Sequence, residues 1–437
     1  MQTAESGVAE GAELQKWLAY LERTHPREIA LGLERLHPVV DRLGLRPAPF
    51  RVLTVAGTNG KGSSVAVAEA VLASRGDQVG AYTSPHLLHY GERMRLNARP
   101  APETAILSAL EQVESARADT PLTFFEFTTL AALVLFRDAG VTHAVLEVGL
   151  GGRLDAVNVL DADVALITRL AHDHTAWLGD SLDEIGREKA GIARSGRPAV
   201  VSMRRPPAGL LGELDRRGAE TLRIGQDFDW RAEDAERWHF EDPGTDQHRL
   251  LSPGDAWQLD WQRDNAAGAL AAVARLVPEE PLPEVLDPVL ANIRLPGRIE
   301  RLAGPPETIL DVAHNPDAAA GLRGWLRAYP AAGRTRAVIA VRGDKDPATM
   351  AEQLREEVDE WWACRLDDPG GMSVPALAAA LEGTGGSVHQ LDLSPGEAWQ
   401  RLYADAGKED RVLVLGSFLT VASVLRAALG ARQTDAG

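Results

Sequence analysis

A glycine-rich stretch with one lysine and two serines follows a β-branched segment near residue 50. Residues 52–64 have the sequence VLTVAGTNGKGSS, and the apolar segment Val65–Ala73 after them is predicted to be a helix. A loop between a strand and a helix binds phosphate, because its backbone N–H groups and the helix dipole attract an anion. Lys61 adds a full positive charge, and the hydroxyl of Ser63 or Ser64 can hold Mg²⁺. The stretch therefore predicts a phosphate-binding loop, although its spacing is not the usual G-x-x-x-x-G-K-[ST].

Side chains suited to metal binding lie at the ends of other predicted strands. Glu147 stands near the carboxyl end of the predicted strand Val141–Val148, directly before a glycine loop. Burying this carboxylate without a partner is unfavourable, so a metal ion or a basic group is expected beside it. His172 and His174 flank Asp173 after the predicted strand Asp163–Thr168, and this group is interpreted as a source of a metal ligand, although Mg²⁺ prefers oxygen. Ser84 also follows a predicted strand, which is where ligands bind in open α/β sheets.

Two further polar positions are given structural interpretations. Lys189 lies in a charged run of the predicted helix Asp183–Ala193, and the pattern alone predicts that its side chain is exposed to solvent. Cys364 is the only cysteine, and its place in a predicted strand indicates a core residue. A single cysteine cannot form an internal disulfide, which favours a reducing compartment.

The pattern of elements divides the chain into two α/β halves, with a compact break at Leu295–Arg298. Small antiparallel strands are predicted within Phe228–Leu259. The predicted helices of the first half include Glu13–Arg23, Glu28–Leu43, Pro102–Arg117, Phe125–Arg137, Gly212–Arg217, Asp264–Leu276 and Leu282–Asn292. The predicted strands of the second half, which indicate a parallel sheet with helices on both faces, are Thr308–Val312, Ala337–Val341, Glu360–Cys364, Val388–Leu391 and Val412–Leu415.

Composition limits the classes of partner. The chain has 437 residues and a formal net charge of -17, which argues against bulk binding to nucleic acid. The segment Met1–Gly11 is polar and acidic, and no segment has the ~20 consecutive apolar residues of a membrane span. We therefore expect a cytoplasmic protein with neither a nucleic-acid nor a membrane partner.

Seven motifs occur in order along the chain. They are AGTNGKGS (56–63), TSPH (83–86), EVGLGGRLD (147–155), DHT (173–175), REKAGI (187–192), LPGR (295–298) and DVAHNP (311–316). Together they closely resemble the Mur ligase family, and within it the bacterial bifunctional dihydrofolate synthase/folylpolyglutamate synthases. The resemblance runs from about Trp17 to Val424. It implies an ATP-dependent amide ligase that adds L-glutamate to dihydropteroate and to reduced folates through an acyl phosphate.

The resemblance also implies an α/β fold in two domains. Residues 1–296 would form a P-loop NTPase-like ATP-binding domain, with a mainly parallel sheet and a small antiparallel sheet. Residues 297–437 would form a Rossmann-like glutamate ligase domain. The expected protein is a monomer whose partners are small molecules: ATP, dihydropteroate, reduced folates and L-glutamate.

Roles for individual residues follow from the same resemblance. The residues expected to bind ATP are Thr58, Asn59, Gly60, Lys61, Gly62, Ser63, Asn265, Arg298 and Asp311. The ligands expected for two Mg²⁺ ions are Ser63, Ser84, Glu147, His174 and Lys189. Lys189 matches a lysine that the family carbamylates, which turns a cation into an anion with two oxygens suited to Mg²⁺ and reverses the pattern-based prediction of exposure. Lys61, His174 and Lys189 are expected to act in catalysis.

Some alternatives stay open after the resemblance. The residues matching the substrate region are His25, Thr123, Phe124, Phe125, Glu126, Gly152, Arg153, Leu154, Asp155 and His314. For the segment Thr123–Glu126, a structural interpretation as aromatic core with a carboxylate at a helix start is equally open. One alternative function is a folylpolyglutamate synthase that lacks the dihydropteroate activity. A more distant one is a P-loop kinase or NTPase that forms no amide bond.

Overall fold

Contacts between residues divide the chain into two compact units in the computed structural model. The residues that the structure describes are 11–24, 30–234, 236–252, 254, 257, 259–279 and 281–435. The first unit runs up to Ala171 and from Thr175 to Arg294, and the second contains His172–His174 and the chain from Leu295 onward. None of the helices in the described ranges combines the length and apolar character that a membrane span requires.

An eight-stranded sheet forms the centre of the first unit. The strands of this unit are β1 (Arg51–Ala56), β2 (Val79–Tyr82), β3 (Met94–Leu96), β4 (Arg99–Pro100), β5 (His143–Glu147), β6 (Val164–Ile167), β7 (Pro198–Val201), β8 (Glu220–Arg223), β9 (Asp229–Ala232), β10 (Trp238–Asp242) and β11 (Gln247–Leu251). The large sheet has the order β4-β3-β2-β5-β1-β6-β7-β8, in which the pairs β2–β3 and β3–β4 are antiparallel and the others parallel. Strands β9, β10 and β11 form a small antiparallel sheet. Because β1 lies between β5 and β6, the loops after these three strands meet at one edge of the sheet.

Helices pack against this sheet through apolar faces. They are α1 (Ala12–Thr24), α2 (His37–Arg42), α3 (Lys61–Ser74), α4 (Glu103–Arg117), α5 (Phe124–Asp138), α6 (Thr175–Leu178), α7 (Leu182–Ala190), α8 (Ala208–Arg216), α9 (Asp260–Leu276) and α10 (Asp287–Ala291). Helix α5 is buried on nearly every side from Phe127 to Phe136, because that segment is almost wholly apolar. Helices α3 and α9 pack against each other behind β1, so they fix the position of the loop after that strand.

The second unit is a six-stranded sheet with helices. Its elements are β12 (Glu300–Leu302), β13 (Glu307–Leu310), α11 (Pro316–Ala328), β14 (Thr335–Ile339), α12 (Pro347–Gln353), β15 (Glu360–Cys364), α13 (Val374–Leu381), β16 (Ser387–Leu391), α14 (Pro395–Asp405), β17 (Arg411–Leu415) and α15 (Phe418–Asp435). The order is β12-β13-β17-β14-β15-β16, with β12 antiparallel and the other strands parallel. Cys364 is fully buried at the end of β15, and burial raises the pKa of its thiol to about 12.

The predicted α/β fold is confirmed, but one predicted helix near the start of the chain is much shorter. A helix was predicted over Glu28–Leu43, and Glu28 lies outside the described residues. In the described part, α2 begins only at His37. Gly32 has a φ of 134°, which is incompatible with a helix, and Pro38 favours a helix start at its own position.

Other helix boundaries also differ from the prediction, and α8 begins at Ala208 rather than at Gly212. Helix α9 begins at Asp260 rather than Asp264, because the side chain of Gln262 accepts the backbone N–H of Leu259 at 3.0 Å and caps an earlier turn. The predicted helix Leu282–Asn292 is reduced to the five residues of α10, which has Pro288 in its first turn.

Candidate functional site

The loop after β1 is tied to the segment that follows β6. The backbone N–H groups of Thr58 and Asn59 donate to the carbonyl of Arg169, at 2.8 and 3.2 Å. The hydroxyl of Thr58 lies 3.1 Å from the carbonyl oxygen of Ala171 and donates to it. Thr58 and Asn59 are therefore held by contacts inside the unit, and their backbone N–H groups are used there rather than offered to a ligand.

Helix α3 begins at Lys61 with N–H groups that have no partner within the helix. Gly60 precedes it with a φ of 95°, a left-handed conformation that favours glycine. A Cβ on Gly60 would also lie 2.3 Å from Oδ1 of Asn265, so the predicted nucleotide residue Asn265 closely contacts this turn. The first-turn N–H groups of Lys61, Gly62 and Ser63 lack intrahelical acceptors, as at any helix start. This end of α3 is therefore suited to a phosphate group.

Two lysine side chains meet at the carbonyl of Gly57. The Nζ of Lys61 donates to this oxygen at 3.2 Å and to the carbonyl of Thr58 at 3.2 Å. The Nζ of Lys189 donates to the Gly57 oxygen at 2.9 Å. The two nitrogens are therefore no more than about 6 Å apart, where two positive charges repel by on the order of 3 kcal/mol at an effective dielectric of about 20. A bound anion, or a change of Lys189 to an anionic derivative, would remove that repulsion.

Lys189 is buried, so the prediction of exposure made from the charge pattern is wrong. Its exposed fraction is 4%, and it lies on the face of α7 that also buries Ile185 and Gly186. The helix turns the neighbouring side chains Arg187 and Glu188 away from that face. The four-residue spacing between Ile185 and Lys189 was the sequence signal that could have shown this, because such residues share one side of a helix.

The loop after β5 covers the end of α7. A Cβ on Gly152 would lie 2.8 Å from the carbonyl oxygen of Glu188. The backbone N–H of Arg153 donates to that carbonyl at 2.9 Å, and its Nη2 lies 2.8 Å from Oε1 of Glu188. Leu154 continues the loop as a half-buried residue. Gly152 and Arg153, two of the predicted substrate residues, are thus positioned directly against the helix that carries Lys189.

Asp155, at the end of the same loop, is a buried carboxylate. It accepts the backbone N–H groups of Leu150 and Val157 at 2.8 and 2.9 Å. Burial raises the pKa of Asp155 to about 6, and the charge of Lys189 acts in the opposite direction. The carboxylate therefore changes its charge within the physiological pH range.

Oxygen atoms suited to a metal ion lie near the ends of β1, β2 and β5. Glu147 is buried, and its Oε2 accepts the backbone N–H of Ser84 at 3.2 Å. The hydroxyl of Ser63 is buried and has no hydrogen-bond partner among the described residues. An unpartnered buried hydroxyl is unfavourable, and coordination of a hard cation would satisfy it. Ser63, Ser84 and Glu147 therefore fit the predicted Mg²⁺ ligands in their chemistry.

The remaining predicted metal ligand, His174, is placed with the second unit. Its contacts group His172–His174 with the residues from Leu295 onward. Partial burial lowers the pKa of His174 to about 4, so its ring is neutral at pH 7 and able to coordinate a metal. In the described ranges, no three or more His, Cys, Asp or Glu side chains are grouped so that they could hold a metal ion.

Aromatic side chains surround the predicted substrate residues at the start of α5. The ring centroids of Phe125 and Tyr82 are 6.0 Å apart, and those of Phe124 and Tyr90 are 6.5 Å apart. The guanidinium of Arg93 lies 5.4 Å from the ring centroid of Phe124, a cation–π contact. Flat aromatic surfaces beside a cation suit a planar aromatic acid.

Thr123 and Glu126 have a structural use at the same helix start. The Oγ1 of Thr123 accepts the N–H of Glu126 at 3.2 Å, and Oε2 of Glu126 accepts the N–H of Thr123 at 2.8 Å. This reciprocal pair is a capping box. Glu126 also accepts a hydrogen bond from Nε of Arg35 at 3.2 Å. A role of these two residues in substrate binding therefore stays a prediction, whereas their contribution to the helix is visible.

Predicted residues of the second unit gather around Phe418. The guanidinium of Arg298 lies 5.8 Å from the ring centroid of Phe418, and the ring of His314 lies 6.3 Å from it. Asp311 is buried and accepts two backbone N–H groups at 2.9 and 2.8 Å. Burial raises the pKa of Asp311 to about 6. The second unit thus brings Arg298 and His314 to one aromatic ring, with Asp311 in the same loop region.

Sequence reasoning missed a buried ion pair in this unit. The Nζ of Lys345 lies 2.6 Å from Oδ1 of Asp173, and both side chains are almost fully buried. His314 and Asn315 contact the other oxygen of the same carboxylate. The available sequence signal was the position of Asp173 and Lys345 shortly after strands β6 and β14, which alone does not pair them.

Two features lie outside this group of residues. His25 is not among the described residues, so its predicted contact with substrate stays a prediction. A cleft of about 1030 Å³ at the amino-terminal edge of the large sheet contains none of the predicted site residues. Its arginines include Arg197, which is paired with Asp163, so the positive charge there is already balanced.

Models of two protein families match the chain over most of its length. The Mur ligase middle domain matches residues 55–245. The glutamate ligase domain of the Mur ligases matches residues 297–418. The first match contains the phosphate loop, Glu147 and Lys189, and the second contains Arg298, Asp311 and His314.

Whole-chain comparisons agree with the family models. The dihydrofolate synthase/folylpolyglutamate synthase of Escherichia coli (strain K12) is 44% identical over 413 residues, which are 94% of each chain. The solved structure of E. coli FolC in complex with DHPP and ADP has a TM-score of 0.87 and 42% identity, covering 96% of this chain and 98% of that one. A solved bifunctional folylpolyglutamate synthase/dihydrofolate synthase with Mn, AMPPNP and L-glutamate bound has a TM-score of 0.85 and 41% identity, covering 95% and 98%. The chain therefore belongs to the Mur ligase family and, within it, to the bifunctional dihydrofolate synthase/folylpolyglutamate synthases.

Proposed function

We propose that this protein is an ATP-dependent ligase that joins L-glutamate by an amide bond to dihydropteroate and to reduced folates. The observation that carries the proposal is the meeting of Lys61 and Lys189 at the Gly57 carbonyl, together with the buried hydroxyl of Ser63, which has no hydrogen-bond partner among the described residues. The ammonium of Lys61 suits the phosphates of ATP, and the Ser63 oxygen and an anionic derivative of Lys189 would suit a metal ion bound to them. The ligands held by solved relatives, ADP with DHPP in one and AMPPNP with Mn and L-glutamate in another, support the same substrates here.

The chemistry proposed proceeds in two steps. A carboxylate oxygen of the folate substrate attacks the γ-phosphorus of ATP, which releases ADP and leaves an acyl phosphate. The amine nitrogen of L-glutamate then attacks the acyl carbon, loses a proton and expels inorganic phosphate. Because a carboxylate and a triphosphate repel each other, the main task of the protein is to neutralise charge in the first step.

We assign that neutralisation to the start of α3. The N–H groups of Gly62 and Ser63 and the ammonium of Lys61 would hold the phosphates. Asn265 would contact the nucleotide beside Gly60, while Thr58 and Asn59 shape the loop. Bound Mg²⁺ supplies further positive charge to the phosphate oxygens. Ser63, Ser84, Glu147, His174 and Lys189 are the residues proposed to hold it, with two ions as the proposed number.

We further propose that Lys189 is carbamylated. Its neutral amine would add CO₂ and lose a proton, which gives an anionic carbamate. The support is electrostatic, because the change would replace the repulsion between Lys189 and Lys61 by attraction.

The folate substrate is proposed to lie against the aromatic residues at the start of α5. Phe124 and Phe125 would pack on its rings, with the loop Gly152–Asp155 and the segment Thr123–Glu126 beside them. His25 is proposed as a further substrate contact. Arg298, Asp311 and His314 would act on nucleotide and glutamate. We propose residues 1–296 and 297–437 as the two domains, in a cytoplasmic monomer.

A two-substrate assay tests the function. The protein is incubated with ATP, Mg²⁺ and labelled L-glutamate, together with either dihydropteroate or tetrahydrofolate. The proposal expects ADP and labelled amide product in equal amounts from both folate substrates. Product from tetrahydrofolate alone would mean a folylpolyglutamate synthase without the first activity. ADP formation without any labelled product would mean a kinase or NTPase, and would overturn the proposal.

A further inference from the structure

Asp173 is a buried carboxylate surrounded by hydrogen-bond donors. Its Oδ1 accepts from the Nζ of Lys345 at 2.6 Å and from the backbone N–H of His174 at 2.9 Å. Its Oδ2 lies 3.3 Å from both the Nδ2 of Asn315 and the Nε2 of His314. Four donors on one carboxylate, from separate parts of the second unit, make it the centre of a polar network.

The ring of His314 is fixed at both of its nitrogens. Nδ1 lies 2.8 Å from the carbonyl oxygen of Val312, which can only accept a hydrogen bond. Nε2 faces the carboxylate of Asp173, which also accepts. The two contacts together hold the imidazole in one orientation, with its centroid 6.3 Å from that of Phe418 and the two rings tilted by 48°.

The backbone of His174 is in an unusual conformation. Its φ is 51°, in the left-handed region that a side chain disfavours by about 1–2 kcal/mol. The hydrogen bond from its N–H to Asp173 is formed in this conformation. A strained residue persists only where its surroundings hold it, and such residues cluster at functional sites.

The charge of Lys345 is balanced inside the network. Its side chain is 8% exposed and lies between Asp173 at 2.6 Å and Asp344 at 3.3 Å. Asp344 is half exposed, so its pairing with Lys345 is the weaker of the two. Asp173 therefore has one contact that neutralises a buried cation and others that orient His174 and His314.

We propose that Asp173 is a positioning residue for the ligase reaction, one that holds the backbone of His174 and the ring of His314 in the orientations they need. The inference rests on the proposed function, in which His174 holds metal and His314 acts on substrate. One carboxylate would then set the geometry of both residues. Residues that orient metal ligands typically change metal affinity or activity by about 10–100-fold when they are replaced.

Three variants separate positioning from simple charge balance. Asp173→Asn keeps the shape of the side chain but replaces one acceptor oxygen by a donor that faces other donors. Asp344→Asn is the control for charge balance: it removes the other carboxylate beside Lys345, which also lies 4.0 Å from Nδ1 of His174, and leaves the contacts of Asp173 intact. The double variant Asp173→Asn/Lys345→Met removes both members of the buried ion pair, so it avoids leaving a lone buried charge.

Two readouts are measured on each variant. The first is steady-state kinetics, with KM for L-glutamate compared with KM for ATP. The second is the affinity for Mn²⁺ in the presence of ADP, measured by electron paramagnetic resonance of the free ion. For Asp173→Asn and for the double variant, we expect a glutamate KM at least about tenfold higher and Mn²⁺ affinity about 10–100-fold lower. For Asp344→Asn, which leaves the contact between Asp173 and His314 intact, we expect a glutamate KM within about twofold of wild type.

The proposal is overturned if the double variant regains wild-type glutamate KM and Mn²⁺ affinity, since Asp173 would then serve only to balance Lys345. Failure of the proposed function is a separate result. If the wild-type protein does not ligate glutamate at all, the Mn²⁺ measurement still decides whether Asp173 positions His174. Equal Mn²⁺ affinity in wild type and Asp173→Asn would exclude that role.

Discussion

Replacing Gly60 by alanine should lower the free energy of unfolding and weaken nucleotide binding. The same substitution at Gly76 serves as the control, because it shares the backbone conformation but not the steric clash. Gly60 precedes α3 with a φ of 95°, and Gly76 follows the same helix with a φ of 90°. A Cβ on Gly60 would lie 2.3 Å from Oδ1 of Asn265, whereas a Cβ on Gly76 would meet nothing within 4 Å. The two substitutions therefore share a backbone penalty and differ in the clash.

The expected losses of stability follow from the backbone penalty and the steric clash. A left-handed alanine costs about 1–2 kcal/mol, offset by about 0.4–1 kcal/mol from the reduced freedom of the unfolded chain. We therefore expect Gly76→Ala to lower the free energy of unfolding by about 1 kcal/mol. Forcing a methyl group against Asn265 adds about 1–3 kcal/mol for Gly60→Ala. Only Gly60→Ala should also weaken ADP binding, because it shifts the first-turn N–H groups of α3.

Urea unfolding followed by circular dichroism measures the first effect, and calorimetric titration with ADP measures the second. The comparison uses transition midpoints at equal slope, since a two-unit chain need not unfold in one step. When Asn265 is also replaced by alanine, Gly60→Ala should lower the free energy of unfolding by no more than Gly76→Ala does. If Gly60→Ala and Gly76→Ala lower the free energy of unfolding of the wild-type protein by the same amount, within about 0.5 kcal/mol, the reasoning is refuted.

Three further predictions concern the same site. Lys189→Ala should lose most ligase activity, and short carboxylic acids such as acetate should restore part of it; full activity without added acid would exclude the carbamate. Burial raises the pKa of Asp155 to about 6 in the folded protein, so the folded protein binds the proton of this carboxyl group more tightly than the unfolded chain does. The proton therefore stabilises the fold below about pH 4, and this stabilisation is lost as the pH rises to about 6. Wild type should therefore lose up to about 3 kcal/mol of stability relative to Asp155→Asn between pH 4 and 6, and a constant difference in melting temperature would contradict this. Thr123→Ala should lower the free energy of unfolding by about 1 kcal/mol through loss of the cap; an unchanged melting temperature combined with a raised KM for dihydropteroate would instead assign Thr123 to the substrate.

Local patterns predicted the α/β fold because both halves of the chain alternate strands and helices with clear periodicity. The boundaries of β15, predicted as Glu360–Cys364, agree with the structure. The short strands β3, β4 and β12 were not predicted, because they are two or three residues long and their pairing partners are supplied by tertiary contacts. The start of helix α9 was predicted too late because its first turn, residues 260–263, contains only one apolar residue, Trp261.

The candidate site was predictable only in part from residue types. Lys61 and Ser63 stand out, because phosphate binding depends on a short contiguous loop. The burial of Lys189 depends on the loop at Gly152, which lies far away in sequence and covers α7. The pairing of Asp173 with Lys345 joins residues 172 positions apart, and no local pattern encodes such a contact.

The buried thiol of Cys364 has a practical consequence for studying this enzyme in motion. A thiol at 0% exposure with a pKa near 12 does not react with maleimide dyes at neutral pH. The natural chain is therefore already suited to site-specific labelling. One engineered surface cysteine in each unit would accept a fluorophore pair without removal of any native residue. Distances between the two units could then be followed by energy transfer during turnover, on a protein whose core is unaltered.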